Sequence, residues 1–142
     1  MRLFYQFITI LFYPLIVLII FLRKISNKED KLRYKEKIFS SSIIADKNKQ
    51  KKLIWFHAAS IGEVQSIFPV IKRLSNQKKN VEFLITTVTL SSGNLVKKKL
   101  GKNKNIKHRY FPIDVIFIIN KFFNFWKPDL VIFVDSEVWP NL

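Results

Sequence analysis

Apolar residues follow two different patterns in this chain: one long run at the N-terminus and several short runs after residue 52. Residues 3–22 include seventeen apolar residues out of twenty, and none of the twenty is charged. A helix of this length, at about 1.5 Å per residue, matches a hydrocarbon core of about 30 Å. The run therefore predicts a membrane anchor helix over residues 1–24, which Pro14 would kink without breaking.

Two other interpretations of this apolar run compete with a spanning helix. A cleaved signal peptide needs a small-residue cleavage site, and Arg23 and Lys24 follow the run directly, so the sequence disfavours cleavage. A helix that lies in one leaflet has the same composition as one that spans. The sequence favours spanning or deep anchoring and leaves shallow embedding open.

A basic segment follows the apolar run, and we define it as residues 25–52. Counted from Arg23 to residue 52, eleven Lys/Arg and four Asp/Glu give 11 − 4 = +7. Basic residues beside a membrane helix remain on the cytoplasmic side, so we expect the body of the protein in the cytoplasm. They also attract anionic lipid headgroups, at about 1 kcal/mol per Lys or Arg near the surface. Within this segment, residues 27–39 are predicted to form a short charged helix.

Short apolar runs alternate with helical spacing over residues 53–142. A run such as 53–57 is typical of a buried strand, whereas apolar positions three and four residues apart are typical of a helix packed on one face. The alternation predicts a Rossmann-like α/β domain, with a parallel sheet covered by helices on both faces. The predicted strands are 53–57, 81–87, 106–111 and 130–134, and the predicted helices are 63–75, 91–100 and 114–125.

Composition narrows the classes of function. The absence of cysteine excludes disulfides, thiolate metal sites and a cysteine nucleophile, and two histidines give little support for any metal site. The three glycines are isolated, so there is no glycine-rich phosphate loop. The net charge of +15 invites nucleic-acid binding, but about half of it follows the apolar run and no nucleic-acid-binding motif is present. We therefore expect no nucleic-acid partner, no metal and no cofactor.

Polar residues follow each predicted strand. In open α/β sheets, ligands bind beyond the carboxyl ends of the strands, so these segments predict a common site. The segments are 57–63, 86–89, 110–114 and 135–137.

Glu63 is the leading candidate for chemistry within these segments. A carboxylate at a helix start could act as a general base for a hydroxyl, but Ser60-x-x-Glu63 also fits a structural capping box. Spacing alone favours the capping role. His57 is interpreted as a strand-end histidine that faces the core.

Several sequence runs resemble one enzyme family. HAASIGE (57–63), TTVTLSSG (86–93), RYFPID (109–114) and DSEVWPNL (135–142), together with the apolar anchor and residues 33–37, resemble the N-terminal domain of bacterial 3-deoxy-D-manno-octulosonic acid (Kdo) transferases. The resemblance implies the N-terminal half of a glycosyltransferase-B fold, in which this half binds the acceptor. The implied reaction moves Kdo from CMP-Kdo to a lipid A precursor, with inversion, at the cytoplasmic face of the inner membrane.

The resemblance also assigns roles to individual residues. Glu63 would be the base that deprotonates the acceptor hydroxyl, and Asp135 would stabilise the transition state. Asp135 is one methylene shorter than the glutamate usual in the family, and the basic segment lacks a glycine often found after Lys37. The remaining expected substrate-binding residues are Ser60, Gly62, Thr87 and Glu137.

The sequence leaves two functional hypotheses. In the first, the chain is the acceptor half of a transferase whose donor domain lies outside it, and the chain alone is inactive. In the second, the chain is a non-catalytic module that binds anionic lipid at the membrane surface.

Overall fold

The computed structural model describes residues 2–39, 50–135 and 140–141. The chain divides into two compact units, each of which is described by itself. The helical unit comprises the described residues within 1–44, 112–125 and 137–142. The sheet unit comprises the described residues within 45–111 and 126–136.

The apolar N-terminus forms two helices where one was predicted. Helix α1 spans Arg2–Leu11 and helix α2 spans Tyr13–Ile25, with a bend of 53° between them. Pro14 lies in the first turn of α2, where it has no N–H to donate and cannot continue the hydrogen bonds of α1, so the chain bends just before it. Neither helix by itself has the length and apolar content to cross a bilayer, whereas the bent pair taken together meets both criteria. The predicted membrane span therefore stays a prediction.

The charged segment after α2 is mostly turn, so the predicted helix over residues 27–39 is wrong. Only α3, Lys35–Ile38, is helical there. The Oδ1 atom of Asp30 accepts hydrogen bonds from the backbone N–H groups of Leu32 (3.0 Å) and Arg33 (2.9 Å). This local turn competes with helix formation, and Asn27 (φ 56°) already turns the chain away from α2.

The sheet unit confirms the predicted α/β fold with a parallel sheet. Every strand and helix predicted over residues 53–142 is present, with boundaries within two residues of those expected. The four strands are parallel, in the order β3-β2-β1-β4. The elements in chain order are β1 (Lys52–His57), α4 (Ile61–Gln77), β2 (Val81–Thr87), α5 (Leu90–Leu100), β3 (Ile106–Tyr110), α6 (Ile116–Trp126) and β4 (Leu130–Phe133).

One hydrophobic cluster holds α4 and α5 against the sheet. Val64, Ile67 and Ile71 of α4 pack with Phe56 of β1, and Val96 of α5 joins the same cluster. Because β1 lies between β2 and β4, the chain segments that leave these three strands emerge side by side. All residues of α6 up to Phe125 belong to the helical unit, so helix cover on both faces of the sheet stays a prediction.

Candidate functional site

The N-terminus of α4 forms the capping box that the sequence predicts. Ser60 precedes the helix, and its Oγ accepts a hydrogen bond from the backbone N–H of Glu63 (3.3 Å). The Glu63 carboxylate in turn accepts from the backbone N–H of Ala59 at Oε2 (2.9 Å) and of Ser60 at Oε1 (3.2 Å). The carboxylate is therefore held over the positive end of the helix dipole.

The Glu63 carboxylate keeps unused hydrogen-bonding capacity despite these bonds. A carboxylate offers about four lone-pair sites, and the two backbone donors occupy two of them. The side chain is half-buried, so an incoming hydroxyl can reach it. The adjacent Gly62 faces open space: among the described residues beyond its chain neighbours, the nearest atom to a Cβ built there is the Ser60 Oγ, at 4.0 Å. The arrangement can cap the helix and accept a proton from a hydroxyl at the same time.

His57 is buried at the end of β1, which confirms the interpretation of a core-facing histidine. Its ring lies 4.3 Å, centroid to centroid, from the Phe111 ring, and burial lowers its pKa to about 4, against the opposing effect of the nearby Glu63 charge. The His57 imidazole is therefore neutral at pH 7. Its Nδ1 lies 2.8 Å from Thr86 Oγ1, which also accepts from the indole N–H of Trp55 (2.8 Å). Its Nε2 has no hydrogen-bond partner within the part of the chain that the structure describes.

Thr87, an expected substrate-binding residue, lies at the end of β2 with its side chain fully buried. Its Oγ1 is 2.8 Å from Nε2 of His108 on β3. The backbone carbonyl of Thr87 accepts from the N–H of Phe111 (2.8 Å), which extends the pairing of β2 and β3 by one residue. In this conformation Thr87 supports the edge of the sheet from inside.

A second capping box, which the sequence analysis missed, begins α5. The Thr89 Oγ1 accepts from the backbone N–H of Ser92, and the Ser92 Oγ accepts from the N–H of Thr89, both at 3.2 Å. Ser92 is fully buried, and its hydroxyl lies 3.3 Å from the carbonyl of Ala59. The spacing Thr89-x-x-Ser92 matches that of Ser60-x-x-Glu63, so the same spacing rule could have predicted the second capping box from the sequence.

Gly93 lets α5 approach β3. A Cβ built at Gly93 would lie 2.6 Å from the hydroxyl of Tyr110 and 2.8 Å from its ring. This close contact gives the glycine of the TTVTLSSG run a packing role. Sequence reasoning had treated it only as an isolated glycine.

Of the two acidic residues expected after β4, the structure describes only Asp135. Asp135 is exposed and belongs to the sheet unit. The backbone N–H of Val134 donates to the carbonyl of His57 (3.1 Å), so β4 ends beside the segment that leads to Glu63. Glu137 lies outside the described residues.

Asp114 belongs to the helical unit, unlike the other candidate positions that the structure describes. Its Oδ2 accepts a hydrogen bond from the hydroxyl of Tyr5 (2.9 Å), and its backbone carbonyl accepts from Nδ2 of Asn141 (2.9 Å). The structure therefore brings the ends of β1, β2 and β4 together and places Asp114 in a separate group of contacts.

No metal centre is indicated among residues 2–39, 50–135 and 140–141. Within these ranges, no three His, Cys, Asp or Glu side chains come close enough together to hold an ion. The polar groups at the sheet edge are hydroxyls, backbone amides, one neutral imidazole and carboxylates. This set suits recognition of a hydroxylated substrate and proton transfer from it.

Comparison with known proteins identifies related sequences. A chain from Rickettsia bellii, named 3-deoxy-D-manno-octulosonic acid transferase, is 40% identical over 141 residues, which cover 99% of this chain and 32% of the relative. A probable mitochondrial 3-deoxy-D-manno-octulosonic acid transferase of Arabidopsis thaliana is 34% identical, with coverage of 91% and 28%. The Haemophilus influenzae transferase is 37% identical, with coverage of 63% and 20%. The chain spans about a third or less of the length of these relatives.

The family match covers the whole sheet unit and part of the helical unit. The family described as 3-deoxy-D-manno-octulosonic-acid transferase (kdotransferase) matches residues 32–142, which include both capping boxes and Asp135. Because that match covers well over half of the chain, the chain belongs to the Kdo transferase family, in its N-terminal domain.

Proposed function

We propose that this chain is the acceptor-binding part of a Kdo transferase that acts in lipopolysaccharide core biosynthesis. It forms the N-terminal half of a glycosyltransferase-B architecture, and a second α/β domain binds the donor, CMP-Kdo. The acceptor is a lipid A precursor. Family membership supports the reaction, and the partly exposed carboxylate at the start of α4 is the observation that carries the assignment of the chemistry.

Glu63 acts as the general base in this proposal. A free lone pair of its carboxylate takes the proton of the acceptor hydroxyl as the hydroxyl oxygen forms a bond to the anomeric carbon of Kdo. The bond from that carbon to CMP breaks, and CMP leaves with the electron pair. A single displacement from the face opposite CMP inverts the anomeric centre. The backbone donors at Ala59 and Ser60 fix the carboxylate in place for this step.

The other expected residues act around this base. Gly62 leaves open space beside Glu63, so acceptor atoms can approach the helix N-terminus there. Ser60 binds the acceptor at the rim, and Thr87, whose side chain is buried, contributes to substrate binding by holding the edge of the sheet in place. Asp135 stabilises the transition state from the end of β4, with Glu137 as a further substrate-binding residue.

The enzyme acts at the cytoplasmic face of the bacterial inner membrane in this proposal. The apolar residues 1–24 and the basic segment 25–52 attach it there, and the basic side chains contact anionic lipids. We propose no nucleic-acid partner, cofactor or metal. The second candidate function, a non-catalytic module that binds anionic lipid, rests on the same basic segment.

A chimeric enzyme tests the proposed function. Residues 1–142 of this chain replace the matched N-terminal third of the Rickettsia bellii transferase, and transfer of Kdo from CMP-Kdo to a lipid A precursor is measured. We expect transfer within about tenfold of the parent enzyme, because the acceptor site is supplied intact. A folded chimera that binds anionic vesicles but transfers no Kdo would favour the lipid-binding module.

The chain without a donor domain provides a second test. We expect residues 1–142 alone to transfer no Kdo under the same conditions, since the nucleotide is bound elsewhere. Transfer of Kdo by the chain alone would contradict the proposal that this domain binds the acceptor and a second domain binds the donor.

A further inference from the structure

A cavity of about 480 Å³ opens between the second half of α4, the end of α5 and the start of β3. All of its lining residues belong to the sheet unit. One of them is Ile106, the first residue of β3. Because the four strands are parallel, the cavity lies at the edge of the sheet opposite to the one where β1, β2 and β4 end. A cavity of this size can hold a small organic molecule.

Three lysines from different parts of the chain line this cavity. Lys72 lies in α4, Lys99 in the last turn of α5, and Lys102 in the turn that follows α5. Among the described residues, none of the three forms an ion pair, and no Asp or Glu lines the cavity. Like charges around one cavity repel each other, and a bound anion relieves that repulsion. The charge of the lining therefore favours an anionic ligand.

The dipoles of α4 and α5 explain only part of this positive charge. Residues 97–99 are all lysine and lie in the last turn of α5, where they complement the negative end of the helix dipole. The last turn of α4 carries no basic residue, because Lys72 lies well before the end of that helix at Gln77. The effect of the dipole is confined to the last turn, so it gives no reason for Lys72 to line the cavity.

Asn103 adds a fixed hydrogen-bond donor to the lining. Its Oδ1 accepts from the backbone N–H of Asn105 (3.0 Å), and its own backbone N–H donates to the carbonyl of Leu100 (3.0 Å). Because the oxygen is engaged, the Nδ2 group is the part of the amide that remains for a ligand. Asn76 supplies a second amide at the same cavity. Amide side chains can donate to and accept from the polar edge of a nucleobase.

The remaining side of the cavity is apolar, and we call Phe68, Leu100 and Ile106 the apolar wall. All three residues are half-buried and pack against the hydrophobic cluster that holds α4 and α5 to the sheet, so their positions are fixed. A flat ring gains by packing on such a surface, and an aromatic side chain is a good partner for a nucleobase. Inorganic phosphate would leave the apolar wall uncovered, and an acyl chain would leave the two amides without partners.

We propose that this cavity binds a soluble nucleotide, with its phosphate among the three lysines and its base against the apolar wall. The Asn103 amide then donates to the polar edge of the base. This inference goes beyond the proposed function, which assigns the nucleotide of CMP-Kdo to a second domain, and it does not depend on the transfer of Kdo. Binding involves no covalent step.

Binding of AMP to the full chain, residues 1–142 in detergent micelles, tests the class of ligand. In the proposed function this chain has no donor domain, so a donor site cannot account for the binding. Isothermal titration calorimetry should give a Kd for AMP below about 1 mM, with adenosine and ribose 5-phosphate each about tenfold weaker or more. Absence of AMP binding, or adenosine binding as tight as that of AMP, would overturn the proposal. Tighter binding of dihexanoylphosphatidic acid than of AMP would also overturn it, since the site would then take a lipid phosphate.

Two double variants of equal net charge locate the phosphate. Lys72→Gln with Lys99→Gln removes two charges from the cavity, whereas Arg73→Gln with Lys98→Gln removes two neighbouring charges of the same helices that do not line it. We expect the first pair to raise the Kd for AMP by about tenfold or more and the control pair to change it by less than about twofold. Equal weakening in the two proteins would mean general attraction to a basic surface and would contradict a site in the cavity.

Asn103→Asp tests the fixed donor. The new carboxylate keeps an oxygen for the backbone N–H of Asn105, so the turn should be retained, but a negative charge replaces the amide donor. We expect the Kd for AMP to rise by about tenfold or more, while circular dichroism and urea unfolding remain those of the unmodified chain. Unchanged AMP binding in this variant would contradict the proposal.

Discussion

The N-termini of α4 and α5 use the same capping geometry for different purposes. Both begin with a hydroxyl residue whose side chain and backbone exchange hydrogen bonds with the third helical residue. In α4 that residue is Glu63, half-buried and charged, whereas in α5 it is Ser92, neutral and fully buried. A capping box by itself therefore indicates a helix start. The charge and accessibility of its third residue distinguish a candidate base from a structural cap.

The glycines beside the two caps differ in the same way. Gly62 faces open space next to Glu63, whereas Gly93 is pressed against the ring of Tyr110. One helix start therefore leaves room for a ligand, and the other is filled by the protein.

The largest effect is expected from Glu63→Ala, which removes both the base and half of the cap. In the chimeric enzyme we expect the rate of Kdo transfer to fall by about 10²–10⁴-fold, the usual contribution of a general base. The free energy of unfolding should also fall by about 0.5–2 kcal/mol because the cap is lost. Single-turnover kinetics and urea unfolding measure the two effects. A loss of stability with an unchanged rate would reduce Glu63 to a cap like Ser92.

A pH dependence of stability is expected from His57, which interacts electrostatically with Glu63. In the unfolded chain its pKa is about 6.5, and in the folded chain about 4, so between these values the unfolded state binds the extra proton. Stability should therefore fall by about 3 kcal/mol as the pH drops from 6.5 to 4. Urea unfolding at several pH values, compared with His57→Gln, measures this contribution.

The same titration distinguishes the two caps. Glu63→Gln should lower the pKa of His57 further, since the negative charge of Glu63 favours the imidazolium. Ser92→Ala should leave that pKa unchanged. Equal His57 pKa values in these two variants, measured by NMR, would contradict an electrostatic link between Glu63 and His57.

A smaller effect is expected from adding a methyl group at the glycine of each cap. Gly93→Ala forces Tyr110 to move and should destabilise the chain by about 1–3 kcal/mol. Gly62→Ala meets open space and should leave stability unchanged or raise it by up to about 1 kcal/mol, since alanine favours helix more than glycine does. Urea unfolding of the two variants, run side by side, gives the comparison. Equal destabilisation would mean that the two helix starts are packed alike.

The smallest effect is expected from Ser92→Ala. It removes the buried cap of α5 and the hydroxyl that lies near the carbonyl of Ala59, so the free energy of unfolding should fall by about 1 kcal/mol. The rate of transfer per folded chimera should remain within about threefold of the unmodified chimera. A loss of rate comparable to that of Glu63→Ala would place the α5 cap in the active machinery, so that the two caps would no longer differ in function.

The central strands β1 and β2 were predictable because they are short and largely buried, and Val81–Thr87 matches the predicted strand residue for residue. The N-terminal region was predicted less well. Pro14 accounts for the bend, which the sequence predicted only as a kink, whereas the tertiary contacts of Tyr5 and Tyr13 depend on residues more than twenty positions away. The helix predicted over 27–39 was wrong because one Asp30 side chain binds two backbone amides.

The residues of the candidate site also divide into those that local sequence predicts and those that depend on tertiary contacts. The cap at Ser60 and Glu63 followed from local spacing, which is a property of consecutive residues. The enclosure of Thr87 by His108 and the contact of Gly93 with Tyr110 depend on which strands are neighbours. The sequence predicted parallel strands without their order. Those contacts therefore became visible only in the folded chain.

Glu63→Gln tests the central claim most directly, because it removes the basic carboxylate while an amide oxygen can still serve the capping box. In the chimeric enzyme we expect the free energy of unfolding to stay within about 1 kcal/mol of the unmodified protein and the single-turnover rate of Kdo transfer to fall by about 10²–10⁴-fold. A rate within about tenfold of the unmodified chimera, in a folded variant, would contradict the assignment of Glu63 as the general base.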